Sequence, residues 1–210
     1  MPSVIHLCMV TKNKSVSATT LHSAMNIHML CMMKGLHLDI AFVNDRSGLP
    51  KLLKTGERII WMEYGTNLDE ASLRRALDPF EKGVQVLVFP AVREGINWQA
   101  FAKRTKEGST EPANQRGLEF DTVVGKKLGE SLYEVTSTEA RVWAMDAKPV
   151  DKKIRGDKVP VKLPLDETMF CTLQKLGIKV GALTSATVIC HFVYECLGNI
   201  LETSGVELKP

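Results

Sequence analysis

The sequence has no segment able to span a bilayer. Its longest apolar stretch, around Met25 to Met33, is interrupted by Asn26 and His28 and falls well short of the ~20 residues a membrane helix needs. It also lacks an excess of either charge. Lys+Arg 27 against Asp+Glu 24 leaves +3, too little and too scattered for the concentrated basic face that phosphate-backbone binding requires, so nucleic acid is not an expected partner. A compact anionic ligand stays compatible. Aromatic residues are only 6%, but 44% apolar and 24% charged residues exclude a disordered tail, a collagen-like repeat and a coiled coil. No C-x-x-C pair and no internal repeat is present. The five cysteines (Cys8, Cys31, Cys171, Cys190, Cys196) are odd in number and irregular in spacing, which reads as reduced thiols. The chain opens on a strand-like run without the order of a signal peptide, and the expected location is the cytosol.

At ~150 residues per domain, 210 residues imply one large domain or two intimate subdomains. The first ninety residues repeat one pattern of short apolar run, turn and helix. Val4 to Val10, Leu38 to Val43, Arg58 to Tyr64 and Gln85 to Phe89 are short and nearly all apolar, as strands covered on both faces must be. Between them helices are expected over Ala18 to Lys34, Leu49 to Lys54 and from an Asn67 or Asp69 cap to Leu77. The first helix is apolar on both sides, which predicts a deep position, with His22 and His28 packed in the core or at its edge. Strands alternating with helices predict a doubly wound, Rossmann-like α/β half over 1–92. The pattern then changes. A polar excursion from Arg93 to Asp121, with a helix near Asn97 to Lys106, has the character of a binding loop. Strands over Leu132 to Thr136 and Val142 to Ala147, a charged connection over Lys152 to Lys162, a helix over Asp166 to Leu176 and a long alternating segment from Lys179 to Cys190 complete a mixed second half, 93–210, without a linker that would separate two domains. Tyr194 to Leu201 closes the series.

Several motifs are missing. There is no G-x-x-x-x-G-K-[ST], no G-x-G-x-x-G after the first strand, no G-x-S-x-G and no H-E-x-x-H, which excludes the corresponding P-loop, dinucleotide, hydrolase and zinc-protease sites. What remains are polar strand ends: Thr11, Lys12 and Asn13; Asn44 and Asp45; Tyr64 and Thr66; Arg93 and Glu94. In open α/β sheets ligands bind outside the carboxyl ends of the strands, so these clusters should line one crevice. A nucleotide held without a glycine cradle suits it.

The runs VLVFPAVREGINW (86–98), GLEFDTVVG (117–125) and ECLGNI (195–200) resemble, in this order, the N-terminal domain of the glycosyltransferases that chlorella viruses encode to build the glycans of their major capsid protein. The resemblance spans the chain. It implies a GT-A fold with a mixed, mostly parallel sheet, a UDP-sugar donor, a divalent ion such as Mn²⁺ or Mg²⁺, and a glycan acceptor on a capsid glycoprotein. One departure stands out: where most GT-A enzymes carry Asp-x-Asp, this chain reads Pro90, Ala91, Val92, Arg93, Glu94. The departing diphosphate still needs its charge neutralised. Glu94, Asp146 and His191 are the candidate metal ligands, and Asp121 and Glu195 the candidate bases, while Lys12, Arg93 or Lys148 could share the anionic load.

Plainer readings accompany these. Asn44 and Asp45 suit an Asx turn, Glu94 a helix cap, and Asp146 a structural pair with Lys148. Asp121, among Leu118, Phe120 and Val123, needs a partner for a carboxylate in an apolar setting. A zinc site or a Cys196–His191 nucleophile lacks any supporting motif. Two other functions fit the same pattern: a nucleotidyltransferase-like enzyme, and a non-catalytic binding module of a longer polypeptide.

Overall fold

The strands alternate their side chains between two cores, and this explains why they read as unbroken apolar runs. A computed structural model describes residues 4–81, 83–110, 116–156 and 162–191. In β1 (Val4–Val10) Ile5, Leu7 and Met9 face one core and Cys8 the other; in β3 (Arg58–Met62) Ile60 and Met62 oppose Ile59 and Trp61. The same period of two divides β5 (Val86–Val88) and β8 (Val142–Asp146), as strands covered by helices on both faces require. On one face lie α1 (Ala18–Met33) and α3 (Glu70–Leu77). On the other lie α2 (Leu49–Thr55), α5 (Ala147–Arg155) and α6 (Met169–Lys175), while α4 (Trp98–Lys106), the helix expected near Asn97 to Lys106, has no buried residue. Within that second core Trp61 and Trp143 stack 5.6 Å apart at 3°. Burial pushes the Cys8 thiol up to about 12, so it packs as a protonated apolar group.

The fold is mixed α/β around an eight-stranded sheet, with β2 (His37–Val43), β9 (Val180–Leu183), β7 (Leu132–Thr138) and β6 (Thr122–Lys127) completing the order β2-β1-β3-β8-β5-β9-β7-β6. All strands except β7 and β8 run the same way. The expected α/β class and mostly parallel sheet are therefore present. The order differs from a simple doubly wound half: β8, from the second half of the chain, lies antiparallel between β3 and β5. A separate ribbon joins β4 (Thr66–Leu68) to β10 (Val188–Cys190), so the long segment expected over Lys179 to Cys190 is two strands in two sheets.

Three further expectations change. The charged connection begins as α5, because Ala147 and Val150 are buried, Ile154 packs beside them and Asp151 pairs with Arg155 at i,i+4. α1 is not deep: Met25, Met29, Met32 and Met33 are 60–76% exposed, and His22 and His28 are exposed too. Finally, the strand expected to reach Tyr64 ends at Met62. Among the described residues no helix is long and apolar enough to cross a membrane. Tyr194 to Leu201 lies outside them.

Candidate functional site

The rim outside the carboxyl ends of β1, β2, β3 and β5 is assembled by hydrogen bonds between neighbouring loops. After β1 the chain makes a two-residue turn, in which Lys12 and Ser15 exchange backbone hydrogen bonds of 3.1 and 3.0 Å. Asn13 and Lys14 take φ of +53° and +59°, the left-handed conformations that such a turn demands and that asparagine tolerates. The Thr11 N–H donates to the Val43 carbonyl at 2.8 Å, and its hydroxyl to Asn44 Oδ1 at 2.6 Å. Asp45 accepts from the Ser47 N–H at 2.7 Å, and hydrogen bonding by Ser47 lowers its pKa. Because β8 is antiparallel, its first end meets the last ends of its neighbours. Arg141 thus reaches the rim, where its guanidinium donates to the Tyr64 carbonyl at 3.0 Å and its own carbonyl accepts from the Glu63 N–H at 3.0 Å.

Three adjoining cavities follow this rim. One of about 260 Å³ has Asn44, Asp45, Arg46, Trp61, Glu63 and Asp166 in its wall. The next, about 210 Å³, shares Glu63 and adds Thr11, Lys12, Tyr64, Glu94, Arg141 and His191. The third, about 330 Å³, shares Glu94 and Arg141 and adds Arg93, Asp121 and Glu139. The shared walls make them one crevice from the end of β2 to the start of β6, at the position where α/β sheets take ligands.

Charge of both signs lines it. The Arg46 guanidinium lies 5.9 Å from the Trp61 ring and 3.8 Å from Glu63, and Trp61 donates its indole N–H to Glu63 at 3.0 Å. Arg93 pairs with Glu139 at 3.2 Å. Among the described residues Glu94 has no ion pair and is exposed, leaving its carboxylate available to a ligand. Asp121 is 4% exposed. Its Oδ1 accepts from the Ala91 N–H at 3.1 Å and the Thr122 hydroxyl at 2.8 Å, while Oδ2 has a longer contact of 3.4 Å with the Arg141 N–H. Burial pushes its carboxyl up, against the lowering effect of the Thr122, Ala91 and Arg141 hydrogen bonds. The partner that its apolar setting required is thus the backbone on both sides.

Thr11, Lys12, Asn44, Asp45, Tyr64, Arg93, Glu94, Asp121 and His191 are brought to this crevice. Asn13 is in the turn and is not in the cavity walls. Asp146 is at the other end of the sheet, where the Arg58 side chain donates to its Oδ1 at 3.0 and 2.6 Å. It cannot join Glu94 and His191 around an ion. Lys148 is at that far end too, paired with Glu57 at 2.7 Å rather than with Asp146. Glu195 lies outside the described residues. Arg141, Glu63, Arg46 and Glu139 complete the site without having been singled out. Glu63 was visible as the acid ending RIIWME, whereas Arg141 depends on an antiparallel insertion that strand-end reasoning does not foresee.

No family model and no curated protein matches the chain. Solved structures do match. The crystal structure of A197 from STIV superposes with a TM-score of 0.50 at 9% identity, over 90% of this chain and 86% of that one. A Bacillus anthracis protein assigned as a glucose-1-phosphate thymidylyltransferase, solved with a sucrose, matches with a TM-score of 0.44 at 7% identity, over 99% of this chain and 96% of that one. At such identities the first likeness is one of fold alone.

Among the described residues no three His, Cys, Asp or Glu side chains are grouped to hold a metal by themselves. One carboxylate, Glu94, and one imidazole, His191, share a cavity wall.

Proposed function

We propose that this chain is a glycosyltransferase that binds a UDP-sugar along the rim and transfers the sugar to a glycan acceptor. What carries the reading is the continuous crevice, in which Lys12, Arg141 and Arg93 alternate with Glu94 and Asp121. A diphosphate needs the cations, and a hydroxyl nucleophile needs a carboxylate to take its proton. Asn44 and Asp45 are suited to ribose hydroxyls, and Arg46 beside Trp61 to the edge of a base. Lys12 and Arg141 take the diphosphate, with Glu94 and His191 beside it. A divalent ion bound there would supply charge neutralisation for the departing UDP.

Asp121 is assigned the proton. Its Oδ1 is anchored by Ala91 and Thr122; Oδ2, with one long contact, is the oxygen left to accept. Burial makes that carboxylate more basic than an exposed one. Beyond Arg93 a depression of about 840 Å³, lined by Val92, Leu118, Phe120, Val123 and Arg104, suits the acceptor, since Phe120 is 61% exposed and offers a ring face to a sugar. The three sequence runs that resemble the chlorella-virus enzymes are the ground for assigning that acceptor to a viral capsid glycoprotein.

A thermal-shift panel of UDP, GDP, CMP, UTP and UDP-sugars, with and without Mn²⁺, tests this. UDP and UDP-sugars should stabilise the chain, by ~2.7 kcal/mol at 100 times the dissociation constant, more with the metal than without. A larger effect of UTP than of any UDP-sugar would favour a nucleotidyltransferase. No stabilisation by any nucleotide would end both readings.

A further inference from the structure

α1 and β2 together present an apolar surface that the described part of the chain leaves uncovered. Around α1 the buried positions Thr20, Ser23, Ala24, Ile27, Leu30 and Cys31 form one side. Ser23 turns toward β4, where its hydroxyl accepts from the Leu68 N–H at 3.1 Å. Leu21, Met25, Met29 and Met32 follow one another at helical spacing on the flank away from Ser23, and are 43%, 61%, 60% and 68% exposed.

β2 is a terminal strand of the sheet, paired with β1 on one side only. The Val43 carbonyl accepts from Thr11 after β1. By strand alternation the odd-numbered residues spend their backbone groups on β1, and Leu38, Ile40 and Phe42 aim theirs outward. Leu38 packs into the α1-side core, so all three side chains stand on the α1 face. Ile40 and Phe42 are 38% and 60% exposed there.

The two sheet edges are treated differently. β6, the other edge, carries register shifts against β7 and ends in Lys126 and Lys127; bulges and lysines are the usual means of blunting an edge. β2 pairs in unbroken register over seven residues, without Pro or Lys. Its one acid, Asp39, is held by His6 at 2.9 Å.

We propose that this surface is the interface of a homodimer, in which the β2 strands of two copies pair antiparallel about a twofold axis midway between their Ile40 residues. That register sets Ile40 opposite itself and Leu38 opposite the partner's Phe42, so every outward backbone group of the three residues finds a mate. Asp39 then faces alanine rather than another acid. The α1 stripes flank the joined strands. At about 200 Å² for a fully exposed side chain of this size, the exposed fractions of the six apolar residues amount to roughly 650 Å² per copy. That is above the ~300–600 Å² of the largest patch on a typical monomer. With the strand edge and polar rim added it approaches the ~800 Å² per partner of a standard interface. A twofold contact of this kind closes on itself and stops at two copies.

Light scattering on the full chain during size exclusion, at about 10 to 100 µM, should give twice the 23.3 kDa of one chain. Ile40→Lys and, independently, Met29→Lys should each return the mass to that of one chain with the far-ultraviolet circular dichroism unchanged. Two copies opposed at Ile40 would have Cα atoms about 5.5 Å apart, within disulfide range. In a Cys171→Ser background, chosen because Cys171 is exposed, Ile40→Cys should therefore cross-link under mild oxidation, while the parent and a Glu70→Cys control on α3 should not. A monomer at every concentration, whether its patch is covered by residues 192–210 or reserved for a different protein, overturns the proposal. So does a dimer indifferent to both lysines, an open-ended polymer, or a dimer that Ile40→Cys fails to link.

Discussion

Asp121 ties neighbouring loops together by hydrogen bonds and is also the base of the proposed reaction. Asp121→Ala removes the acceptor for the Ala91 N–H and the Thr122 hydroxyl, both buried, and should destabilise the chain by ~1–3 kcal/mol. Asp121→Asn keeps one acceptor oxygen and should fold better than the alanine variant, yet lose transfer by ~10²-fold or more, the usual share of a general base. Equal turnover of wild type and Asp121→Asn would remove the residue from the chemistry. The pH dependence has a definite sign. Burial raises the carboxyl above its ordinary 3.8, so the folded chain binds more proton than the unfolded one between the two values. The stability of wild type relative to Asp121→Asn should therefore fall as pH rises from about 3.8 through the raised value, as read from urea midpoints in parallel.

The two stacked indoles make a second comparison between residues. Trp61 donates its N–H to Glu63; the Trp143 N–H is buried without a partner among the described residues. Replacing either by phenylalanine leaves a void, which costs stability. Trp61→Phe also loses a hydrogen bond to a carboxylate, worth ~1.5–3 kcal/mol, whereas Trp143→Phe relieves a desolvated donor. Trp61→Phe should be the more damaging by ~1 kcal/mol or more in chemical denaturation. The reverse order would show that the Trp143 indole is better satisfied than its surroundings indicate.

At the scale of elements, the β4–β10 ribbon carries His191 to the crevice, and Gly65 is its pivot. Gly65 has φ +78°, its carbonyl accepts from the His191 N–H at 2.8 Å, and a Cβ on it would stand 2.5 Å from the His191 carbonyl oxygen. Gly65→Ala should cost at least ~1 kcal/mol from the left-handed backbone, and the displaced His191 should reduce the stabilisation by UDP with Mn²⁺. Retention of the full nucleotide shift would separate His191 from the ligand. The ribbon also marks where the sequence stops being informative about elements. β1, β3, β5 and β8 were legible because burial on both faces writes a plain apolar run. β4 and β10 are three residues each, too short for a period to show. β6 was hidden because all but its first residue are exposed, and α5 because only Ala147, Val150 and Ile154 carry its pattern through a lysine-rich stretch. In the site, Lys12, Asn44 and Glu94 were legible as strand-end groups and Asp121 as a carboxylate in an apolar setting; Asp146 was misplaced for want of the direction of its strand.

For the molecule as a whole, the position of β8 decides how the two halves of the chain depend on one another. Division at residue 92 corresponds to a change in sequence pattern but not to a seam in the sheet. β3 has β8 on one flank and β1 on the other; β5 has only β8 and β9 as neighbours. Cut after residue 92, the first half would keep β2-β1-β3 together but expose the flank of β3, whose Ile59, Ile60 and Trp61 are at most 1% exposed, and would leave β5 with no strand to pair with. Trp61 would lose its stacked partner, and α2 the packing it shares with α5 and α6 in the second core. A fragment of residues 1–92 should therefore melt without a cooperative transition and bind a hydrophobic dye, while the full chain melts in one transition. Mixing it with residues 93–210 should restore cooperativity if the missing neighbours are what it needs. A fragment 1–92 that melts cooperatively alone would show that β1, β2 and β3 with α1 and α2 suffice as a folding unit, and that Arg141 is added to a rim already formed.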